Sequence, residues 1–449
     1  MSLDELNLAS GVPGPISARV RMLGGRRVSW LEFEPVEPAA PLTRAMTHTW
    51  ETAARTALEE RIPFVMVINS AGADIREGIA ALDGWGRVAR ALTRCSGTVP
   101  TFAIVDGPAV SGPALLLGLV DFTIMTTTAY AFVNGPVMVR QITGIEVSKD
   151  ELGNASAMEK HGGLSVTVVS DRAAGAEVIE HLLEYVPDHS DESPPRQPTG
   201  DPIDRLCPEA GELVPESSTG SYDVRQVAEA VVDEDSLLEL RGGWAGNVVT
   251  AFATVGGQPV GIVANQPMNL AGTLDIPASQ KAARFVAFCD AFNLPLITLV
   301  DTPGFYPGKD LEWRGMIRHG AQLVYAYGRA TVPRICVILR KSYGGAFIVM
   351  DSKTMGNDVC LAWPWAELAV MGAGQAAAIL QRGATDGERA AFEADYAERL
   401  LNPYVAAERG YVDAVIDPGD TRREVGAALA MLANKREALP RRKHGNTPL

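Results

Sequence analysis

Ser342-Tyr343-Gly344-Gly345-Ala346-Phe347 follows a β-branched run ending at Ile335-Cys336-Val337-Ile338-Leu339 and precedes a segment that reads as helical. Small residues at a strand-to-helix turn let the backbone approach a ligand closely and face NH groups outward, where the helix N-terminus adds positive potential. That is the geometry of an oxyanion site. A Gly-Gly pair after a strand is also an ordinary turn signal, so the reading depends on whether the chain repeats it. It does: a strand-like stretch, Phe102 to Val105, runs into Asp106-Gly107-Pro108-Ala109-Val110-Ser111-Gly112-Pro113-Ala114.

Spacing tests the repeat. Gly345 and Gly112 differ by 233 positions, Gly304 and Gly72 by 232, and Gly372 and Gly135 by 237. Each pair sits at the same strand-to-loop transition, which predicts two copies of one strand-rich α/β unit.

The elements between these landmarks follow the same order twice. Ser17 to Glu32 alternates around Gly24-Gly25 as a hairpin would, and Pro35, Pro38 and Pro41 behind it argue against a central strand there. Leu42 to Arg61 and Gly78 to Arg94 have helical spacing, and Pro63 to Ile68 reads as a buried strand ending at Asn69-Ser70-Ala71-Gly72. From Pro187 to Thr219 the chain is rich in Pro, Ser, Asp and Glu, a linker composition. Then comes a second hairpin around Gly256-Gly257. A helix with Ser279 as its N-cap and a strand from Pro295 to Asp301-Thr302-Pro303-Gly304 follow. The expected division is residues 1–190, a linker at 191–222, and residues 223–449.

Composition narrows the class. With 449 residues, 47% hydrophobic and 21% charged, the chain has material for at least two buried cores. A formal net charge of -14 argues against nucleic acid as a partner. Five scattered Cys, without Cys-x-x-Cys, and six dispersed His, without His-x-x-x-His, suggest reduced thiols and no metal site. The acidic start Met1-Ser2-Leu3-Asp4-Glu5 lacks a secretory pattern, and the apolar run from Pro113 to Met125 is broken by Asp121, so a cytoplasmic protein away from membranes is expected.

A family resemblance rests on Asn265-Gln266-Pro267-Met268, Ala271-Gly272-Thr273-Leu274-Asp275-Ile276, Lys281-Ala282-Ala283-Arg284-Phe285, Asp301-Thr302-Pro303-Gly304-Phe305, Tyr325-Ala326-Tyr327-Gly328 and Leu361-Ala362-Trp363-Pro364. Together they resemble the carboxyltransferase (β) subunit of biotin-dependent acyl-CoA carboxylases, propionyl-CoA carboxylase type. The match is dense over the second half and looser from about Ser70 to Pro195. The resemblance implies an α/β fold of two tandem crotonase-like ββα-spiral domains related by duplication. The acyl-CoA would lie on the N-terminal domain, and biotin, borne by a separate carrier, on the C-terminal one. It further implies carboxyl transfer from carboxybiotin to the α-carbon of an acyl-CoA or acyl-carrier thioester, without a metal. The implied partners are a biotin carboxylase and biotin carrier subunit, and the implied assembly is a homo-hexamer (trimer of dimers) or a hetero-assembly with another β-type subunit.

Carried over residue by residue, Gly345 and Ala346 would be the biotin-side donors, with Gly344 beside them in the catalytic turn, and Ser111 and Gly112 would be the catalytic residues of the acyl side. Ile348 falls where the family tunes acyl choice, and Tyr343, Gly72 and Ala73 flank the two sites. Arg340 and Lys341 are candidates to steer an anion or to cover the surface, and Asp301 is either a carboxylate of the site or a turn-former.

The first half departs from the family pattern. Val110-Ser111-Gly112-Pro113 stands where Ala-Gly-Gly-Ala is usual, and Pro113 has no NH. Ser70-Ala71-Gly72-Ala73-Asp74 replaces a basic residue by an acidic one. Two alternatives therefore stand beside carboxyl transfer: a biotin-independent decarboxylase of malonyl- or methylmalonyl-type thioesters, and a non-catalytic subunit paired with an active paralogue.

Overall fold

The computed structural model describes residues 6–8, 14–215 and 217–448, so the acidic start lies outside it. The chain divides into two compact units, Met1–Pro195 with Arg241–Trp244, and Arg196–Leu240 with Ala245–Leu449.

The first unit carries β1 (Leu6–Asn7), β2 (Ile16–Leu23), β3 (Arg26–Phe33), β4 (Phe64–Ser70), β5 (Thr101–Val110), β6 (Phe122–Thr126), β7 (Tyr130–Phe132) and β8 (Ser165–Val169). The second carries β9 (Leu238–Leu240), β10 (Val248–Val255), β11 (Gln258–Asn265), β12 (Leu296–Thr302), β13 (Arg334–Tyr343), β14 (Val359–Ala362), β15 (Glu367–Ala369) and β16 (Ala414–Val415). In the first sheet the order is β1-β2-β3-β4-β5-β6-β8 with β7 against β5, and in the second β9-β10-β11-β12-β13-β14-β16 with β15 against β13. One topology has been laid down twice, as the spacing predicted. Each sheet opens on an antiparallel hairpin, β2–β3 or β10–β11, and continues parallel.

Backbone detail repeats as well. The β4–β5 register slips between Ile68 and Ser70, and the β12–β13 register between Val300 and Thr302, equivalent steps in the two units. Beyond each slip an isolated parallel bridge ties the chain down, Leu42 to Ala73 in one unit and Leu274 to Phe305 in the other. Gly72 and Gly304 precede these bridges with φ of 105° and 138°, a region that favours glycine.

Every residue of β4 and of β12 is buried. A parallel strand covered on both faces reads as a continuous apolar run, which is why these two were legible. Helix Arg44–Glu60 covers one side of the first sheet. Thr43 caps its start, Arg61 ends it at φ 53°, and Trp50 lies edge-on to Phe33 at 5.5 Å.

Four expectations change. The hairpin strand β3 is interior, paired with both β2 and β4, because the three prolines lie beyond its end at Phe33. Strands β5 and β13 run on to Val110 and Tyr343, directly into the two glycine turns. The second unit's helix Ile276–Ala291 is capped by Asp275, whose carboxylate accepts the Ala278 NH at 2.9 Å. Ser279 instead donates its hydroxyl to the Asp275 carbonyl at 2.8 Å.

The fourth concerns the stretch read as a linker. From Arg196 it belongs to the second unit, and Cys207, Ala210, Val214 and Tyr222 are buried in that unit's core. Fully buried Arg422 donates to the carbonyls of Pro202 (2.9 Å) and Asp201 (3.3 Å) and pairs with Asp233 at 2.6 Å and Asp201 at 3.3 Å. The acid-rich composition supplies partners for a buried guanidinium. All five cysteines are buried thiols. Among the described residues no helix is long and apolar enough to cross a membrane.

Candidate active site

β13 delivers Tyr343 to a short helix, Gly344–Val349, and the turn between them makes two different demands on its glycines. Gly344 has φ 59°, and a Cβ on it would stand 3.1 Å from the Val370 carbonyl oxygen, so torsion and space both require glycine. Gly345 has an ordinary φ, and a Cβ there would meet only the Phe305 ring at 3.5 Å. Its missing side chain is a matter of what the face must admit.

The first NH groups of a helix have no carbonyl one turn back to bond. Gly345 and Ala346 contribute two such groups in succession, and no side chain caps them. Gly344, Gly345 and Ile348 line a cavity of about 540 Å³ walled by Phe347, Leu368 and Val370. Ile348 is 37% exposed and faces it, while Ala346 is fully buried and does not line it. Arg409 is the one charged side chain among the described lining residues; nothing in the sequence near the turn points to it. Tyr343 turns its hydroxyl away to Glu367, and burial followed by that bond raises its pKa well above the ordinary phenol value.

Behind the turn lies a buried ionic network. Asp301 is fully buried and accepts from Arg340 Nε at 3.0 Å, from the Tyr222 hydroxyl at 3.0 Å and from the Lys341 NH at 3.2 Å. Arg340, itself 2% exposed, also donates to the carbonyls of Ser217 at 2.7 Å and Gly220 at 2.8 Å. Lys341 reaches the Ser218 carbonyl at 2.7 Å, and burial lowers its pKa. These side chains therefore neither steer an anion nor coat the surface. Asp301 is a structural counter-ion, because its oxygens are already taken by three donors from two segments.

The equivalent turn of the first unit is altered in a way the sequence showed only in part. Ser111 takes φ 60° and ψ -117°, and its NH donates to the Phe132 carbonyl at 3.0 Å. The expected donor is thus committed to the sheet. Leu115 NH to Ser111 carbonyl, 3.1 Å, is the first intrahelical bond, which leaves the NH groups of Gly112 and Ala114 on either side of Pro113. The donor pair is interrupted at its centre.

Gly72 approaches this turn closely: a Cβ on it would lie 3.2 Å from the Val110 carbonyl oxygen and 3.6 Å from Ser111 Cβ. Ala73 is held by the Leu42 bridge beside it. Asp74, 5% exposed, receives Arg76 through a two-pronged contact of 2.9 and 2.7 Å, and that bond holds its carboxyl below the usual range. The cation missing at position 74 is resupplied two residues later, on a side chain 78% exposed. The signal was present in Asp74-Ile75-Arg76, where an acid precedes a base by two positions.

The carboxyl transferase domain model matches residues 24–447. The chain is 45% identical over 412 residues to the propionyl-CoA carboxylase beta chain of Saccharopolyspora erythraea, covering 88% of this chain and 76% of that one. It is 44% identical over 411 residues to the biotin-dependent acetyl-/propionyl-coenzyme A carboxylase beta5 subunit of Mycobacterium tuberculosis, covering 88% and 75%. Among solved structures, the transcarboxylase 12S hexamer with methylmalonyl-coenzyme A and methylmalonic acid bound superposes with a TM-score of 0.96 at 39% identity, covering all of this chain and 90% of that one. The two-unit fold is thus that of a carboxyltransferase core.

Proposed function

The chain belongs to the carboxyl transferase domain family, and from that premise we propose that it transfers a carboxyl group to the α-carbon of an acyl-CoA, through an enolate held by backbone NH groups. The observation that carries the reading is the turn at Gly344, Gly345 and Ala346. The helix that starts there has no side-chain cap, and Gly344 and Gly345 line an apolar cavity of about 540 Å³.

Each preorganised donor aimed at a developing oxyanion is worth about 3 kcal/mol. The apolar walls strengthen such a donor by excluding water. The residues present would suit a biotin ring: Ile348, Leu368 and Val370 would hold its hydrocarbon part, and Gly345 would offer its NH to the ureido group. Biotin, when bound, supplies the carboxyl group. The chain's share is to hold and to keep dry, since no carboxylate or histidine is among the described residues lining the cavity. On the first unit, Gly112 offers the remaining donor to a thioester, and Arg76 a fixed cation for an anionic group of the substrate. The biotin is carried by a separate protein, and the subunits assemble as the hexameric core of the solved transcarboxylase does.

The test is to incubate the purified chain with biotin carboxylase and carrier subunits, ATP, labelled bicarbonate and a panel of acyl-CoAs. Label fixed on one thioester is expected; label on none overturns the reading. A second reading shares the same intermediate, since carbon dioxide loss from a malonyl-type thioester leaves the same enolate for the first unit to hold. Carbon dioxide release from malonyl- or methylmalonyl-CoA without biotin would establish it, and stable thioesters would remove it.

A further inference from the structure

The segment that forms the turn is fastened at both ends by one buried ion pair. Arg334 begins β13, and Asp351 lies two residues beyond the helix Gly344–Val349. Their side chains are 2% and 0% exposed, and Arg334 Nη1 donates to Asp351 Oδ1 at 2.7 Å. The same guanidinium donates to the carbonyl of Tyr327 at 2.9 Å and of Met355 at 3.1 Å, so it is fixed from several sides. Asp351 Oδ2 and Arg334 Nε are buried without a partner, so this pair is not a fully satisfied structural network. Asp351 also takes the left-handed φ of 59°. The adjacent Met350 NH bonds the Ala346 carbonyl at 3.0 Å, so a displacement of Asp351 passes directly to the donor residue.

Comparison of the two units separates this pair from ordinary fold maintenance. The strand start is tied by a backbone contact in both, Thr101 NH to Asp121 at 3.0 Å and Arg334 NH to Asp358 at 2.8 Å. One repeat of 233 positions earlier, Arg334 and Asp351 correspond to Thr101 and Gly118, which carry no charge. The ion pair is present where two adjacent NH donors are intact and missing where Pro113 interrupts them.

We propose that the Arg334–Asp351 pair is the positioning device that holds the Gly345 and Ala346 NH groups at their working angle. The inference takes its purpose from the carboxyl-transfer reading of that turn. Asp351 faces Arg334 and Cys336 from β13, Tyr327 from the helix Met316–Arg329, Asp358 from the loop before β14, and Lys435 from the chain's C-terminal segment. Burial outweighs the Arg334 attraction and pushes its pKa up to about 7. A raised carboxyl pKa means that ionisation costs stability as pH climbs from the usual value toward 7. Below about 7 the fold holds the carboxyl in its neutral, cheaper form, and above it the buried charge adds to the cost of keeping the segment closed.

The test uses the full chain, its Asp351→Asn variant, and a double variant, Arg334→Met with Asp351→Leu, that replaces the pair by apolar volume. Two readouts are taken: amide exchange over Gly344 to Val349, corrected for intrinsic rate, from about pH 6 to about pH 8; and kcat and KM for carboxyl transfer from malonyl-CoA to free biotin. The wild-type amides should exchange several-fold faster as pH rises through about 7, where the buried carboxyl ionises. Asp351→Asn should exchange fast at every pH and lose about 10-fold in kcat, part of a full donor's worth, with the thioester KM unchanged. The double variant should recover its melting temperature while keeping the fast exchange and low kcat. Wild-type exchange and kcat in Asp351→Asn, or restored kcat in the double variant, would overturn the proposal. Should the wild type transfer no carboxyl group while its exchange titrates as described, the positioning role stands and the assignment of the reaction falls.

Discussion

Ser111 and Gly344 hold the same left-handed φ, 60° and 59°, at the same step of the two units, although one of them has a side chain. A non-glycine residue in such a region is strained by about 1–3 kcal/mol, and glycine returns about 0.5–1 kcal/mol of that through its freer unfolded chain. Ser111→Gly should therefore stabilise the first unit by up to about 1 kcal/mol in denaturant unfolding. Gly344→Ser should cost at least that much, because its Cβ also meets the Val370 carbonyl. A destabilised Ser111→Gly would mean that the serine side chain holds something in place.

Gly345 separates fold from activity. Its φ is ordinary and the nearest atom to a new Cβ is 3.5 Å away, so Gly345→Val should fold. Turnover should fall about 100-fold or more, the scale of one lost oxyanion donor, because the side chain fills the approach to the NH groups. A circular dichroism spectrum like wild type with near-normal activity would place the site elsewhere.

Pro113→Ala returns an NH between those of Gly112 and Ala114. Activity toward simple acyl-CoAs should be unchanged or should rise, within the roughly 100-fold worth of one donor. Steady-state kinetics on acetyl- and propionyl-CoA would measure it. A large loss would show that the proline ring itself shapes the acyl pocket.

Arg422→Met strands Asp233 without its buried counter-ion, while Asp201 keeps Arg205, a loss of about 3–5 kcal/mol by comparison with other broken pairs. The stretch after Arg196 should then become open to proteolysis, read by mass spectrometry of the fragments. Asp201 is held below the usual carboxylate pKa first by its Arg205 bond. Asp233 is raised by burial, but its Arg422 and Gly257 bonds outweigh that and leave it lowered. Lowered carboxyl values contribute stability that is full above the usual pKa near 3.8 and lost as pH falls through the folded value. Wild-type chain should resist pepsin down to about pH 4 and yield below it, and cleavage after Arg196 already at about pH 5 would contradict the clamp.

The duplication was legible because it is written in glycines: Gly72 and Gly304 recur with positive φ, and Gly112 and Gly345 recur at the two helix starts. Buried parallel strands such as Phe64–Ser70 were legible as unbroken apolar runs. What escaped were charges whose meaning depends on depth. Arg340 and Asp301 look like surface and turn residues in sequence, and only the fold places both in the interior at 3.0 Å. The linker reading failed for the same reason, since composition does not reveal that a buried Arg422 awaits those carbonyls. Pro113 showed that a donor was missing, but the loss of the Ser111 NH to Phe132 required the sheet.

The slipped register after Ile68 and after Val300 has a consequence for how such a chain can change its length. Up to that step the two halves run at a nearly fixed offset, and the additional residues that separate Gly135 from Gly372 enter only after the glycine turn. The slip acts as a surveyor's datum. Insertions in the connections lengthen loops and helices without rotating the turn, whereas one residue added within the incoming strand would reverse the side chains beyond it. Loop grafting between the two halves should therefore succeed outside that strand and fail within it.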